Sequence, residues 1–267
     1  MRPGPPRHDA VSIRLAESPD DMRLLLRVAD EVWGAPAGAM VSPDFLMALA
    51  HTGGYVALAE MDDASPGSRT PVAASFGFLA RCGREIGLHS HITGVIPSVQ
   101  HLGIGRQLKH HQRAWALEQG LGVITWTFDP LVRRNGWFNL HGLGATAEEF
   151  HVDFYGSLGD AINGTDETDR LLARWDLRSK RTTDAETRRL APLQPGPGDQ
   201  LIPTPEDIVV LRRTDPGEAL VWRRRMRNAL SGALTTRRII GMTVEGSYVL
   251  TDRNDDLVGD NDHGRPA

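Results

Sequence analysis

"VIPSVQHLGIGRQLKHHQRAWALEQG", residues 95–120, sets Gly103 and Gly105 one residue apart where a strand-like stretch gives way to helical spacing. A diphosphate needs converging N–H donors and no Cβ in the way. Glycines at a strand-to-helix turn supply both, and the start of the helix adds positive potential. The dinucleotide fingerprint would place a third glycine where Leu108 stands, and a P-loop would carry Gly-Lys-Ser/Thr where Arg106 and Gln107 stand. Neither fits. A tight turn that binds nothing is the plainer alternative.

The rest of the chain narrows the setting. At 267 residues there is enough chain for one large domain or two modest ones. Apolar content of 40% with 24% charged residues is that of a globular protein. A net charge of −4 exerts no global pull on nucleic acid or an anionic membrane. The one cysteine, Cys82, excludes an internal disulfide and suits a reducing cytoplasm, where the protein is expected. The start, "MRPGPPRHDA", has no apolar signal-peptide core, and no run approaches a membrane span.

The pattern of elements divides the chain as follows: a tail at 1–10, a main domain at 11–180, an exposed connector at 181–200, a small α+β unit at 201–250 and a polar tail at 251–267. "SIRLAES" alternates like a strand, and "SPDDMRLLLRVADEVW" is a helix capped by Ser18, with Asp20 and Asp21 at its positive end. A second helix starts at Ser42. "GYVALAEM", "PVAASFGFLA" and "EIGLHSHITGVI" read as strands, followed by the helix that ends at Gly120. "LGVITWTFDP" is a buried strand, "LVRRNGWFNLHGLG" a short helix, "ATAEEFHVDFYG" a strand, and "TDRLLARWDL" a strand or a helix. The small unit holds a helix over "DPGEALVWRRRMRNALSGAL" and a hairpin, "RRIIGMTVEGSYVL".

The string Val95-Ile96-Pro97-Ser98-Val99-Gln100-His101-Leu102-Gly103-Ile104-Gly105 resembles the V-x-P-x-x-[Q/R]-x-x-G-x-G/A signature of the GNAT superfamily of acyl-CoA N-acyltransferases, and every defining position matches. The order of elements around it agrees. The resemblance covers residues 11–180 and implies a mixed α/β fold, a mostly antiparallel sheet flanked by helices, with a C-terminal α+β extension. It also implies an acyl-CoA co-substrate, acetyl-CoA or succinyl-CoA. Backbone of Gln100, His101, Leu102, Gly103, Ile104, Gly105 and Arg106 would cradle its pyrophosphate, and Thr93, Gly94, Val95 and Ile96 would pair with its pantetheine arm. Asn135 matches the asparagine that often opens the family's following helix, and Phe138 is placed to pack on the pantetheine. Backbone near Val95 would polarise the thioester carbonyl. A looser likeness, through "LHSHITGV" and the stretch 126–177, is to a subgroup associated with acyl transfer to amino acids.

Around the signature, Ile104, Leu108, His111 and Trp115 fall on one helical stripe, so His111 reads as a core histidine. Lys109 and His110 point elsewhere, toward the coenzyme's 3′-phosphate or toward solvent.

Attack on a thioester requires a neutral amine. A lysine amine with reference pKa near 10.4 lies about 3.4 units from half-neutral at pH 7, about 4–5 kcal/mol, whereas an α-amine near 8 needs about one unit. A positioned base therefore matters more for a lysine acceptor. His89 and His91 alternate onto one strand face, predicted to be shared with Thr93 and Val95, and either is a candidate base. The alternative is two packed, hydrogen-bonded histidines. The H-x-H pair lacks a clear third ligand, so no metal is expected.

The departing thiolate needs an acid. Many family members use a tyrosine four residues before the glycine that closes the post-strand helix; here that glycine is Gly144 and the position is Leu140. Tyr155 is the preferred substitute, ahead of His141 and His151, against the plainer role of anchoring a strand end. Asp129 could recognise an amine or cap a helix. Arg223, Arg224, Arg225 and Arg227 read as a solvated face, an acidic-substrate site or a subunit contact.

The expected activity is transfer of an acetyl or succinyl group from acyl-CoA to a small-molecule primary amine, with no nucleic-acid or membrane partner and a homodimer left open. The rivals are a protein acetyltransferase and a non-catalytic acyl-CoA sensor.

Overall fold

The computed structural model describes residues 11–34, 41–63, 68–156, 158 and 166–252; the predicted tail 1–10 and nearly all of the predicted tail 251–267 lie outside them. The chain forms two compact units, residues 1–124 and 125–267. Among the described residues no helix is long and apolar enough to cross a membrane.

In the first unit, β1 (Val11–Leu15), β2 (Tyr55–Asp62), β3 (Arg69–Cys82) and β4 (Glu85–Val95) pair in that order, each antiparallel to the next. Helix α1 (Pro19–Trp33) starts as its sequence predicts: the Ser18 side chain accepts from Asp21 N, and the Asp21 carboxylate accepts from Ser18 N, a reciprocal cap. Asp21 also pairs with Arg14 of β1, which reaches Glu60 of β2 as well, so the cap is fastened to the sheet. Helix α2 (Pro43–His51) is capped by Ser42. Helix α3 (Ile104–Glu118) buries Ile104, Leu108, Lys109, Gln112 and Ala116. His111, expected in the core, lies half-buried beside that stripe, its Nδ1 2.8 Å from the Tyr55 hydroxyl.

Helices α1 and α3 pack on opposite faces of this sheet. A Cβ at Gly94 would lie 2.5 Å from the Trp33 ring of α1, whereas Ser90 and Thr93 belong to a hydroxyl cluster beneath α3.

The register of β3 on β4 explains that division. Gly77 pairs with Ser90 and Phe76 with Ile92, leaving His91 as an extra residue in β4, a β-bulge. Gly77 permits it, since a Cβ there would sit 2.6 Å from the His89 carbonyl oxygen. Gly77→Ala is therefore expected to destabilise the protein by about 1–3 kcal/mol, read from the urea midpoint. A change within experimental error would mean that the bulge does not need this glycine.

In the second unit the strand order is β5 (Val123–Phe128), β7 (Arg170–Asp176), β6 (Thr146–His151), β9 (Arg238–Met242), β10 (Ser247–Thr251) and β8 (Gln200–Pro203), with β5 starting two residues before the unit boundary. "TDRLLARWDL" is thus resolved as a strand. Helix α4 (Arg133–Trp137) runs into a single π turn, Phe138–Gly142. Helices α5 (Lys180–Glu186), α6 (Ile208–Thr214) and α7 (Pro216–Ala233) complete the unit.

Two expectations about organisation change. The polar stretch 181–200 largely begins as α5, capped by Ser179, and β9 pairs with β6 through Ala147 and Ile239. The 201–250 segment therefore extends the sheet that carries β6 and β7, and Thr251, assigned to the tail, ends β10. Helix α6 has a β-branched start, Ile-Val-Val, yet is helical because the Asp207 side chain accepts from Val209 N and Val210 N.

Candidate active site

In the first unit the site is the run from β4 through a 3-10 turn (Pro97–Leu102) into α3. The Gln100 side chain donates from Nε2 to the Val95 carbonyl at 3.0 Å and folds the turn back onto the strand end. Gly103 follows at φ 74, the left-handed region where a Cβ is disfavoured. It is the N-cap of α3, where no side chain caps the helix and no acidic residue stands in the first turn. The first N–H groups of a helix lack the partners that later turns have; here Arg106 N and Gln107 N donate to the Gly103 carbonyl at 3.1 and 3.2 Å, and the turn presents the positive end of a 15-residue helix with no side-chain cap. By contrast Ser18, Ser42, Ser179, Asp207 and Asp215 cap α1, α2, α5, α6 and α7, while the five-residue α4 also lacks a side-chain cap. Among the described residues a Cβ at Gly105 would meet only Val95 Cγ2, an ordinary contact at 3.6 Å that leaves the rest of the space within 4 Å open.

The bulge sorts the strand residues differently from the sequence expectation. His89 and His91 do share a face, with ring centroids 6.4 Å apart, and they pack on Phe78 and Phe76. Thr93 and Val95 do not share it. The extra residue at His91 shifts the two-residue alternation by one, which turns Thr93 toward Ser75 at 2.8 Å and Val95 toward Gly105. His91 is exposed and His89 half-buried. Burial pushes the His89 imidazole down to about 4, helped by the charges of His91 and Lys109. Partial desolvation of its ring against Phe76 and Phe78 lowers His91 as well. Both rings are neutral at pH 7, and both are weaker bases than a histidine in water.

Lys109, predicted to face a phosphate or solvent, points inward. It is 4% exposed, donating to Ser90 Oγ at 2.8 Å and Gln112 Oε1 at 3.0 Å. Of the other signature residues, His101 is exposed, and Leu102 and Arg106 are half-buried.

In the second unit Tyr155 is exposed at the turn after β6, its hydroxyl 3.0 Å from Thr127 Oγ1 on β5. The turn is pinned to the stretch before β7: Tyr155 N donates to Thr168 Oγ1, and Asp153 N to Asp169 Oδ1. The Arg170 guanidinium lies 5.6 Å from the Tyr155 ring centroid. Asn135 is exposed on α4 and Phe138 half-buried in the π turn. Leu140 is fully buried, so the position that the resemblance reserves for an acid is a core position here.

Asp129 is no free amine receptor. Its Oδ1 accepts from Leu131 N, and its carboxylate is paired with Arg212 and Arg223. Arg223, expected on a solvated face, is fully buried, and Arg227 pairs with Glu167 and Asp169. Only Arg224 and Arg225 of that run are exposed.

No family model matches the chain, and no curated protein matches it. Solved structures do. A probable acetyltransferase from Staphylococcus epidermidis superposes with a TM-score of 0.50 at 15% identity, covering 62% of this chain and 98% of that one. An acetyltransferase of the GNAT family from Streptococcus pneumoniae gives 0.45 at 14% identity, over 61% of this chain and 97% of that one. The ribosomal-protein-S18-alanine N-acetyltransferase of Escherichia coli gives 0.46 at 13% identity, over 62% of this chain and 94% of its own. The likeness is one of fold: the chain has the GNAT acyltransferase fold, a mostly antiparallel sheet flanked by helices. Its remaining residues lie outside the likeness.

Proposed function

We propose that this protein is an N-acyltransferase that moves an acyl group, acetyl or succinyl, from acyl-CoA to the primary amine of a small molecule such as an amino acid. One observation carries the reading. Within the eleven-residue signature, α3 starts uncapped behind a left-handed glycine, with open space over Gly105. The diphosphate of acyl-CoA would be received by the backbone from Gln100 to Arg106. The pantetheine would follow the backbone of Thr93 to Ile96, with Asn135 and Phe138 as further contacts.

In the reaction a neutral amine attacks the thioester carbon, the C–S bond breaks, and the nitrogen loses a proton while the sulfur gains one. His91 is the proposed proton acceptor, being more exposed than His89. Tyr155 is the proposed donor to the thiolate.

The depressed histidines bear on the acceptor. An imidazole held below its ordinary value, as His91 is, cannot readily deprotonate an alkylammonium. A proton becomes transferable once the nitrogen is bonded to the thioester carbon and far more acidic. The acceptor must therefore arrive neutral, which favours an α-amine near 8 over a lysine near 10.4 by about two units, about 3 kcal/mol. A second reading, a non-catalytic acyl-CoA-binding module, is favoured by the buried leucine at position 140.

The test is release of free thiol from acetyl-CoA and succinyl-CoA in the presence of pooled amino acids, with protein and peptide acceptors alongside. Amine-dependent release supports transfer, whereas tight binding without release supports the sensor. The kcat/KM should rise with pH to the acceptor's own pKa rather than level off between 6 and 7, and His91→Asn should lower kcat about 100-fold. A plateau near 6.5 would contradict neutral, depressed histidines.

A further inference from the structure

We propose that Lys109 is a positioning residue: it ties helix α3, through Ser90, to the bulge that presents His91. The inference rests on the acyl-transfer reading and extends it to a residue that the signature does not include.

Its basis is a set of hydrogen bonds beneath α3. The Lys109 ammonium donates to Ser90 Oγ at 2.8 Å and to Gln112 Oε1 at 3.0 Å. Gln112 Nε2 donates to Ser75 Oγ at 3.4 Å, and Ser75 Oγ donates to the Ile92 carbonyl at 2.9 Å. Ser75 and Thr93 hydroxyls are 2.8 Å apart, and those of Ser90 and Thr93 3.5 Å. Ser90, Ile92 and Thr93 are the residues that flank His91, the extra residue of β4. The bulge is thus held on the α3 face at Ser90, Ile92 and Thr93, while the His91 side chain is left on the opposite face with Phe76 and Phe78.

An ammonium is a costly way to fill such a space. A methionine would span it without desolvating a charge, and burial already pushes Lys109 down to about 7. What the amine adds is direction: it donates to two acceptors at once, one on β4 and one on α3. When protonated it also places positive charge toward His89, which helps keep that ring unprotonated. Because Lys109 lies little more than one turn beyond Gly105, displacement of the helix start would be felt at the histidine strand.

The test compares Lys109→Met and Ser90→Ala with the parent protein. Both should lower kcat about 10- to 100-fold while KM for acyl-CoA stays within threefold, because a small misplacement of the acceptor group costs the chemical step and not binding. By NMR the His89 and His91 ring resonances should shift in both variants, and the His89 titration should move to higher pH in Lys109→Met. Ser90→Ala keeps the ammonium and loses only a hydroxyl, so it reports even where Lys109→Met fails to fold. Unchanged kcat in either folded variant, or unmoved histidine resonances, would overturn the proposal. The NMR arm needs no turnover, so a failure of the acyl-transfer reading itself would appear separately, as a parent protein that releases no thiol.

Discussion

Gly105→Val is expected to weaken acyl-CoA binding at least about 100-fold, about 2.7 kcal/mol, with little change in the unfolding midpoint. The reason lies in the difference between the two glycines. Gly103 sits at φ 74, so a β-branched side chain there would strain the backbone and confound any loss of binding. Gly105 has helical geometry, and among the described residues a Cβ there meets nothing closer than 3.6 Å. Valine at that position costs the folded chain little and fills the space above the start of α3, where the diphosphate would lie. Calorimetric titration of acetyl-CoA, with thermal unfolding of the same samples, separates the two effects. Undiminished affinity in a folded Gly105→Val protein would mean that the nucleotide does not use this corner.

Arg223→Met is expected to destabilise the protein by about 3–5 kcal/mol, the cost of removing one partner from a buried ion pair. Arg223 is fully buried and contacts Asp129 at 3.1 Å and Asp166 at 3.0 Å, with Arg212 bound to the same two carboxylates. Burial alone would raise the Asp129 carboxyl, but the charges of Arg223 and Arg212 outweigh it and hold it well below the usual carboxylate range. The sign for pH follows. A carboxylate depressed in the folded state contributes stability above its unfolded pKa, near 3.8, and that stability is lost as pH falls below it. Urea unfolding at neutral pH should show the full loss in Arg223→Met, and Arg224→Met, an exposed neighbour, should stay within about 0.5 kcal/mol of the parent. Equal effects of the two substitutions would remove the buried network from the account.

These two sites show where the sequence was legible. Helix starts were, because Ser18, Ser42 and the Gly103 turn act through residues within one turn of themselves. The signature was legible for the same reason. The bulge was not, since it depends on how β3 registers against β4. Its one local trace is Gly77 in mid-strand, a residue whose missing side chain marks close backbone approach. That one-residue shift is why His89 and His91 keep a common face while Thr93 and Val95 leave it.

Charges were misplaced for a related reason. Lysine and arginine are usually exposed, so Lys109 and Arg223 read as surface groups. Helical spacing carried a warning at Arg223, which falls in line with buried Ala219, Met226 and Leu230 on α7. Its partners, Asp129 and Asp166, lie far away in sequence, so nothing local could show that the position is satisfied.

Acetyl-CoA titrated into protein labelled with nitrogen-15 addresses the diphosphate cradle itself. The amide resonances of Leu102 to Arg106 should move most and saturate together with the calorimetric isotherm. Saturable binding that leaves those five amides in place, or no binding at all, would contradict the assignment of this turn to the coenzyme.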